Sequence, residues 1–209
     1  MKFARNDTIL FAIELTLAEE FDGVVNLATI RRLVESSYDD LAEHATTVMY
    51  LPVLVERFAR QRLQALAHLE GHQQAERPVV LFLCVHNAGR SQMALGFFHQ
   101  HAGERALAWS SGSQPAAAIH DVVVQAMGER GIDITHEFPK PWTDEVVQAA
   151  DVVITMGCGD ACPVLPGKRY EDWAIDDPAG RGLAEVRLIR DEIERRVLVL
   201  LDELAFAHH

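Results

Sequence analysis

One short stretch restricts the folds open to this chain more than its overall composition does. Val79-Val80-Leu81-Phe82-Leu83 is a continuous apolar run of strand length, and Gln92-Met93-Ala94-Leu95 reads as the start of a helix. Between them lie Cys84-Val85-His86-Asn87-Ala88-Gly89-Arg90-Ser91. A buried strand that passes through a short polar loop into a helix is the first half of a strand–helix–strand unit, which demands a parallel sheet. The loop also carries chemistry. Its backbone N–H groups converge, and the helix N-terminus adds partial positive charge. Arg90 brings a planar fork of donors that grips two oxygens of an anion at once. Ser91 is spaced to donate to the sulfur of Cys84, which favours the thiolate and so a nucleophile at neutral pH. Residues 85–91 therefore read as a cradle holding a tetrahedral oxyanion against Cys84. A cysteine at a strand end is usually just a small buried hydrophobe. Gly89, Ser91 and the flanking strand and helix set this one apart.

Downstream the pattern alternates. Strands are expected near 79–84, 106–110, 151–155 and 169–172, and helices near 91–102, 116–130, 143–149 and 183–205. The last helix carries Val186, Ile189, Ile193, Val197, Leu200 and Leu204 on one stripe. The expected fold is α/β: a four-stranded parallel sheet with helices on both faces, whose ligands bind beyond the carboxyl ends of the strands. Residues 8–70 differ, with one proline (Pro52), one glycine (Gly23) and no obvious strand. Ile9, Ala12, Ile13, Leu17 and Phe21, then Leu27, Ile30, Val34 and Leu41, then Leu54, Val55, Phe58, Leu63 and Leu66 recur at helical spacing. Asp22-Gly23 and Ser36-Ser37 read as breaks, and Pro52 as the first turn of the last helix. An all-α bundle of three to four helices over 1–75, a polar linker over Gly71–Pro78 and a catalytic domain over 76–209 follow.

Two further groups of residues extend the chemistry. Ile154-Thr155-Met156-Gly157-Cys158-Gly159-Asp160-Ala161-Cys162-Pro163 places two thiols after a strand. Neighbouring His and Cys ligands are too few for a metal, and a structural disulfide does not suit a reducing compartment, so a redox pair is the better reading. Asp176-Asp177-Pro178-Ala179-Gly180 fixes a carboxylate on a restricted turn. Alone it is ordinary turn chemistry; beside a cysteine nucleophile it supplies the proton for a departing oxygen. A formal charge of −12 argues against a nucleic-acid surface, and residues 1–77 hold 8 basic against 12 acidic side chains. No stretch approaches a membrane span or a signal-peptide core, and three cysteines suit the cytoplasm.

Residues 79–205 resemble the arsenate reductases built on the low-molecular-weight tyrosine phosphatase fold. The resemblance lies in Cys84 to Ser91, Gln92-Met93-Ala94, Ser111-Gly112, Gly131-Ile132-Asp133, the segment 154–166 and Asp176 to Gly180. The N-terminal helices resemble a module that precedes such domains in some actinobacterial proteins. The resemblance implies arsenate as substrate, with phosphate or sulfate as mimics. Cys84 would attack it while Arg90 and the loop amides hold its oxygens, and Asp177 would protonate the departing oxygen. Cys158 would then attack Cys84, and Cys162 would resolve that disulfide, although the three-residue spacer leaves their order open. No bound cofactor is implied. The external reductant would be thioredoxin, or mycothiol with a mycoredoxin. Some members hold a monovalent cation near the loop with acidic ligands; Leu95 and Lys140 stand at the matching positions, so that site is not carried over.

The main rival is a tyrosine phosphatase on the same loop, with a phosphocysteine intermediate and no need of further cysteines. Such enzymes place aromatic residues just after the Asp-Pro, whereas Ala179 and Gly180 follow here. A rival from another class is an arsenic-responsive regulatory or binding module. The bundle could instead pack on the catalytic domain or form a homodimer.

Overall fold

The computed structural model describes residues 5–43, 50–71, 77–157 and 164–206. The chain forms two compact units, one of residues 1–75 with 143–149 and one of residues 76–142 with 150–209.

The first unit is helical. Helices α1 (Asp7–Glu20), α2 (Leu27–Ala42) and α3 (Leu51–Leu69) pack pairwise, and α6 (Asp144–Ala149) packs on α3. Their starts are written in the sequence. The Asn6 side chain accepts from Ile9 N–H, the Asn26 side chain accepts from Thr29 N–H at 2.9 Å, and Pro52 sits in the first turn of α3. Leu17, Phe21, Ile30, Leu33, Phe58 and Leu63 fill the core, whereas Ile9 and Leu27 face solvent.

One expectation is corrected here. Ser36-Ser37 is no break, because α2 runs through it. Ser36 Oγ bonds back to Arg32 O at 2.9 Å, which lets a serine sit inside a helix, and Arg62 Nη1 donates to both Ser36 Oγ and Ser37 Oγ. The buried Arg62 also pairs with Glu145 of α6. The segment 143–149 groups by its contacts with the helical unit.

The second unit is a parallel sheet of β1 (Val79–Cys84), β2 (Leu107–Gly112), β3 (Val152–Met156) and β4 (Arg169–Asp172), in the order β2-β1-β3-β4. β1 is buried along its whole length, as its unbroken apolar run requires. Helices α4 (Arg90–Ala102), α5 (Asp121–Gly128) and α7 (Leu183–Phe206) complete the unit. Val80, Phe82, Ile154, Met93, Phe97 and the α7 stripe Val186, Ile189, Ile193, Val197, Leu200 and Leu204 share one apolar cluster. Cys84 ends the central strand β1, level with Gly112 of β2 and Met156 of β3. The described helices include none long and apolar enough to cross a membrane.

The helix expected over 116–130 is shorter, at Asp121–Gly128. The residues before it are drawn elsewhere. Gln114, Ala116 and His120 donate their N–H groups to the carbonyls of Val85, His86 and Ala88.

Candidate active site

Those bonds build the site. Ser113 N–H meets Cys84 O, so the carbonyls of Cys84, Val85, His86 and Ala88 all turn outward onto the 113–120 segment. In a trans peptide the N–H opposes the preceding C=O. The N–H groups of Val85, His86, Asn87 and Gly89 are therefore aimed to the inner side, together with the start of α4. Asn87 makes the bend with the only positive φ (48°) among non-glycine residues described, and its N–H donates to Cys84 Sγ at 3.2 Å. Ser91 Oγ lies 2.9 Å from the same sulfur, and Asn87 Nδ2 donates to Ser91 Oγ at 2.8 Å. Cys84 itself is buried.

Two glycines allow the approach of neighbouring segments. A Cβ on Gly112 would stand 2.7 Å from Val85 O and 2.9 Å from Asn87 N, so only glycine lets β2 pass beneath the loop. A Cβ on Gly89 would meet Pro178 Cγ at 2.6 Å, which shows how closely the Asp-Pro turn lies on the loop. That turn brings Asp177 to Arg90, with Nη2 donating to Asp177 Oδ2 at 2.8 Å. Arg90 Nη1 donates to Ile175 O at 3.1 Å and lies against Gly157, so the guanidinium is held on two sides. Asp177 Oδ1 accepts from Ala179 N–H. Asp176 points instead to Arg181 at 3.5 Å. Arg181 also pairs with Glu185, whose carboxylate sits below its ordinary range because of that bond first and the Gly182 N–H second.

Cys84, Arg90, Ser91, Asp177 and the loop residues Val85, His86, Asn87, Ala88 and Gly89 are thus brought together at the carboxyl end of β1. Cys158 and Cys162 lie outside the described residues. His86 is anchored at the rim by Nδ1 to Gln114 O. No group of three or more His, Cys, Asp or Glu among the described residues is arranged to hold a metal ion. Lys140 is almost fully buried; its Nζ donates to Phe138 O at 3.3 Å, lies 4.6 Å from the Phe138 ring centroid and is 3.6 Å from Glu137. The residues that sequence reasoning passed over are Gln92 and the backbone of Lys140, both of which bond to Asn87. A glutamine opening an otherwise apolar helix turn was the available signal.

Residues 79–208 match the model of the low molecular weight phosphotyrosine protein phosphatase family. The chain belongs to that family. Residues 12–67 match a protein-tyrosine-phosphatase-like N-terminal domain. Within the family its likeness runs to reductases. A thioredoxin-dependent arsenate reductase of Corynebacterium glutamicum is 44% identical, superposes with a TM-score of 0.86, and the match covers 96% of this chain and 98% of that one. A protein described as a putative arsenate reductase of Halobacterium salinarum is 40% identical over 127 residues, 58% of this chain and 89% of its own. Arsenate reductase 1 of Staphylococcus epidermidis is 36% identical over 126 residues, covering 58% and 94%. The match to the Corynebacterium protein spans nearly the whole chain, the other two 58% of it.

Proposed function

We propose that this chain reduces arsenate to arsenite in the cytoplasm, with Cys84 as nucleophile and thioredoxin as the reductant. The near full-length likeness to a thioredoxin-dependent arsenate reductase carries the reading. The geometry around Cys84 supports a first step. The Cys84 thiolate, receiving Asn87 N–H and Ser91 Oγ–H, attacks arsenic and an S–As bond forms. Arg90 and the inward amides of Val85, His86 and Gly89 hold the oxygens and neutralise their charge. Asp177 gives its proton to the departing oxygen, which leaves as water. To serve both roles, Arg90 and Asp177 exchange their mutual contact for contacts to the anion.

The second step uses the thiols of the 154–166 segment. The Cys158 thiolate attacks Cys84 Sγ, and the electron pair of the S–As bond passes to arsenic, reducing it from the pentavalent to the trivalent state. Arsenite leaves and a Cys84–Cys158 disulfide remains. Cys162 attacks Cys158, freeing Cys84 and leaving a Cys158–Cys162 disulfide for thioredoxin to reduce. A phosphatase needs only the first step and water. Three cysteines and the sequence Asp177-Pro178-Ala179-Gly180, without a following aromatic, favour the reductase. Because phosphate shares the shape and charge of arsenate, weak phosphatase activity is an expected side reaction.

The relay is tested with Cys162→Ser. The expected outcome is one arsenite per chain followed by a stall, with peptide mass spectrometry locating a Cys84–Cys158 disulfide. Sustained cycling with thioredoxin would contradict the three-thiol relay, and cycling only with mycothiol and mycoredoxin would move the reductant.

A further inference from the structure

Gln92 takes no part in the steps above, yet it is fully buried in the first turn of α4 beside the anion loop. Its Nε2 shares its two hydrogens among Asn87 O (3.0 Å), Asn87 Oδ1 (3.2 Å) and Phe138 O (3.2 Å). Its Oε1 has no hydrogen-bond partner among the described residues. A methionine or leucine would fill a similar volume without leaving an acceptor unpaired, so packing alone disfavours an amide here. What the glutamine contributes is its donors.

Those donors fix a direction. Asn87 Oδ1 accepts from Gln92 Nε2 and from Lys140 N–H at 3.0 Å. With the amide turned over, Asn87 Nδ2 would face two N–H groups, so only one orientation is allowed. In that orientation Nδ2 donates to Ser91 Oγ at 2.8 Å. Ser91 Oγ is then an acceptor from Asn87, and its own hydrogen is left for Cys84 Sγ at 2.9 Å. The bond from Gln92 to Asn87 O also braces the left-handed backbone (φ 48°) that aims Asn87 N–H at the same sulfur.

We infer that Gln92 is a positioning residue of the thiolate site: through Asn87 it sets the direction in which the Ser91 hydroxyl donates to Cys84. The inference rests on the proposed role of Cys84 as nucleophile.

The test is made in a Cys158→Ser, Cys162→Ser chain, where Cys84 is the remaining thiol. The thiolate absorbance is followed against pH, together with the rate of alkylation by iodoacetamide at neutral pH. The charged and titratable groups of the site (Arg90, Asp177, Lys140, His86 and His120) are the same in parent and variant, so the difference reports the relay. Gln92→Met is expected to raise the Cys84 midpoint by about one pH unit and to slow alkylation at neutral pH roughly three- to tenfold. In a Ser91→Ala background the same substitution is expected to add nothing, because the route is already cut. In the parent, labelled with ¹⁵N, the side-chain amide signals of Asn87 and Gln92 should both move with the Cys84 titration. That readout does not depend on the Gln92→Met chain folding.

A folded Gln92→Met whose midpoint is unmoved, an effect fully additive with Ser91→Ala, or amide signals that ignore the titration would each overturn the inference. An ordinary thiol midpoint in the parent would strike the nucleophile itself. A low parent midpoint that survives Gln92→Met strikes only the role of Gln92.

Discussion

Asn87 N–H and Ser91 Oγ converge on Cys84 Sγ and one carboxylate is tied to Arg90, and these contacts set which substitutions are expected to stop the reaction and which to slow it. Cys84→Ser keeps the cradle and loses the proposed nucleophile, so arsenate-dependent turnover is expected to fall below detection while anion binding persists. The two aspartates of the Asp-Pro turn separate by partner. Asp177 lies on Arg90 and Asp176 on Arg181, so Asp177→Asn is expected to lower kcat on the order of a hundredfold and Asp176→Asn less than about threefold. The reverse ranking in steady-state kinetics would move the acid to Asp176. At this scale much was legible in sequence. Cys84, Arg90, Ser91 and Asp177 showed in the sequence as residues that would gather in one place, because they lie on one loop and one turn. Gln92 did not, because its partners Asn87 and Phe138 come from a loop and a distant segment, and hydrogen-bond direction appears only when they are assembled.

At the scale of elements, the anion loop is shaped from outside by the 113–120 segment and from beneath by β2. Gly112→Ala drives a Cβ to within 2.7 Å of Val85 O and 2.9 Å of Asn87 N, which must displace the loop. The expected cost is about 2 kcal/mol, read as a lowered Tm, with a loss of activity larger than the loss of folded protein. An unaltered melt and full activity would show that the loop is not confined there. The charged flank of α7 makes a prediction about pH. Arg187 first and Arg190 second hold Glu129 at about 2, and Arg195 then Arg196 hold Glu192 at about 2, both below an ordinary 4.5. Carboxyls whose folded values are depressed stabilise above the unfolded value and lose that contribution as pH falls through the folded one. Their share of stability is therefore expected to be flat from neutral pH to about 4.5 and to decline toward pH 2. Because these groups are exposed, molar salt should blunt the decline, and a salt-independent acid profile would contradict their involvement. Periodicity located all four strands and the long α7. It overextended the helix at 116–130 and broke α2 at Ser36-Ser37, for one reason in both cases. The hydrogen-bond partners that decided them, His86 O and Ala88 O in the first and Arg62 in the second, lie far away in sequence.

For the whole molecule, the instructive element is α6. It lies within the stretch matched to the phosphatase family, yet it belongs to the helical unit, where Arg62 pairs with Glu145 and α6 packs on α3. A chain that begins at residue 76 keeps α6 and loses the helix it packs on. It is expected to melt at lower temperature than the full chain and to expose apolar surface to a hydrophobic dye; an equal Tm would show that 143–149 needs no helical partner. That arrangement was not legible in sequence, since a six-residue helix carries no sign of which core it joins. The central claim concerns the full chain and a single reaction. Purified protein is incubated with thioredoxin, thioredoxin reductase and NADPH, and oxidation of NADPH is followed on addition of arsenate, with arsenite measured at the end. Sustained oxidation with arsenite formed in equal amount, abolished by Cys84→Ser, is the expected result. No arsenate-dependent oxidation, together with brisk hydrolysis of p-nitrophenyl phosphate, would make the chain a phosphatase and contradict the assignment.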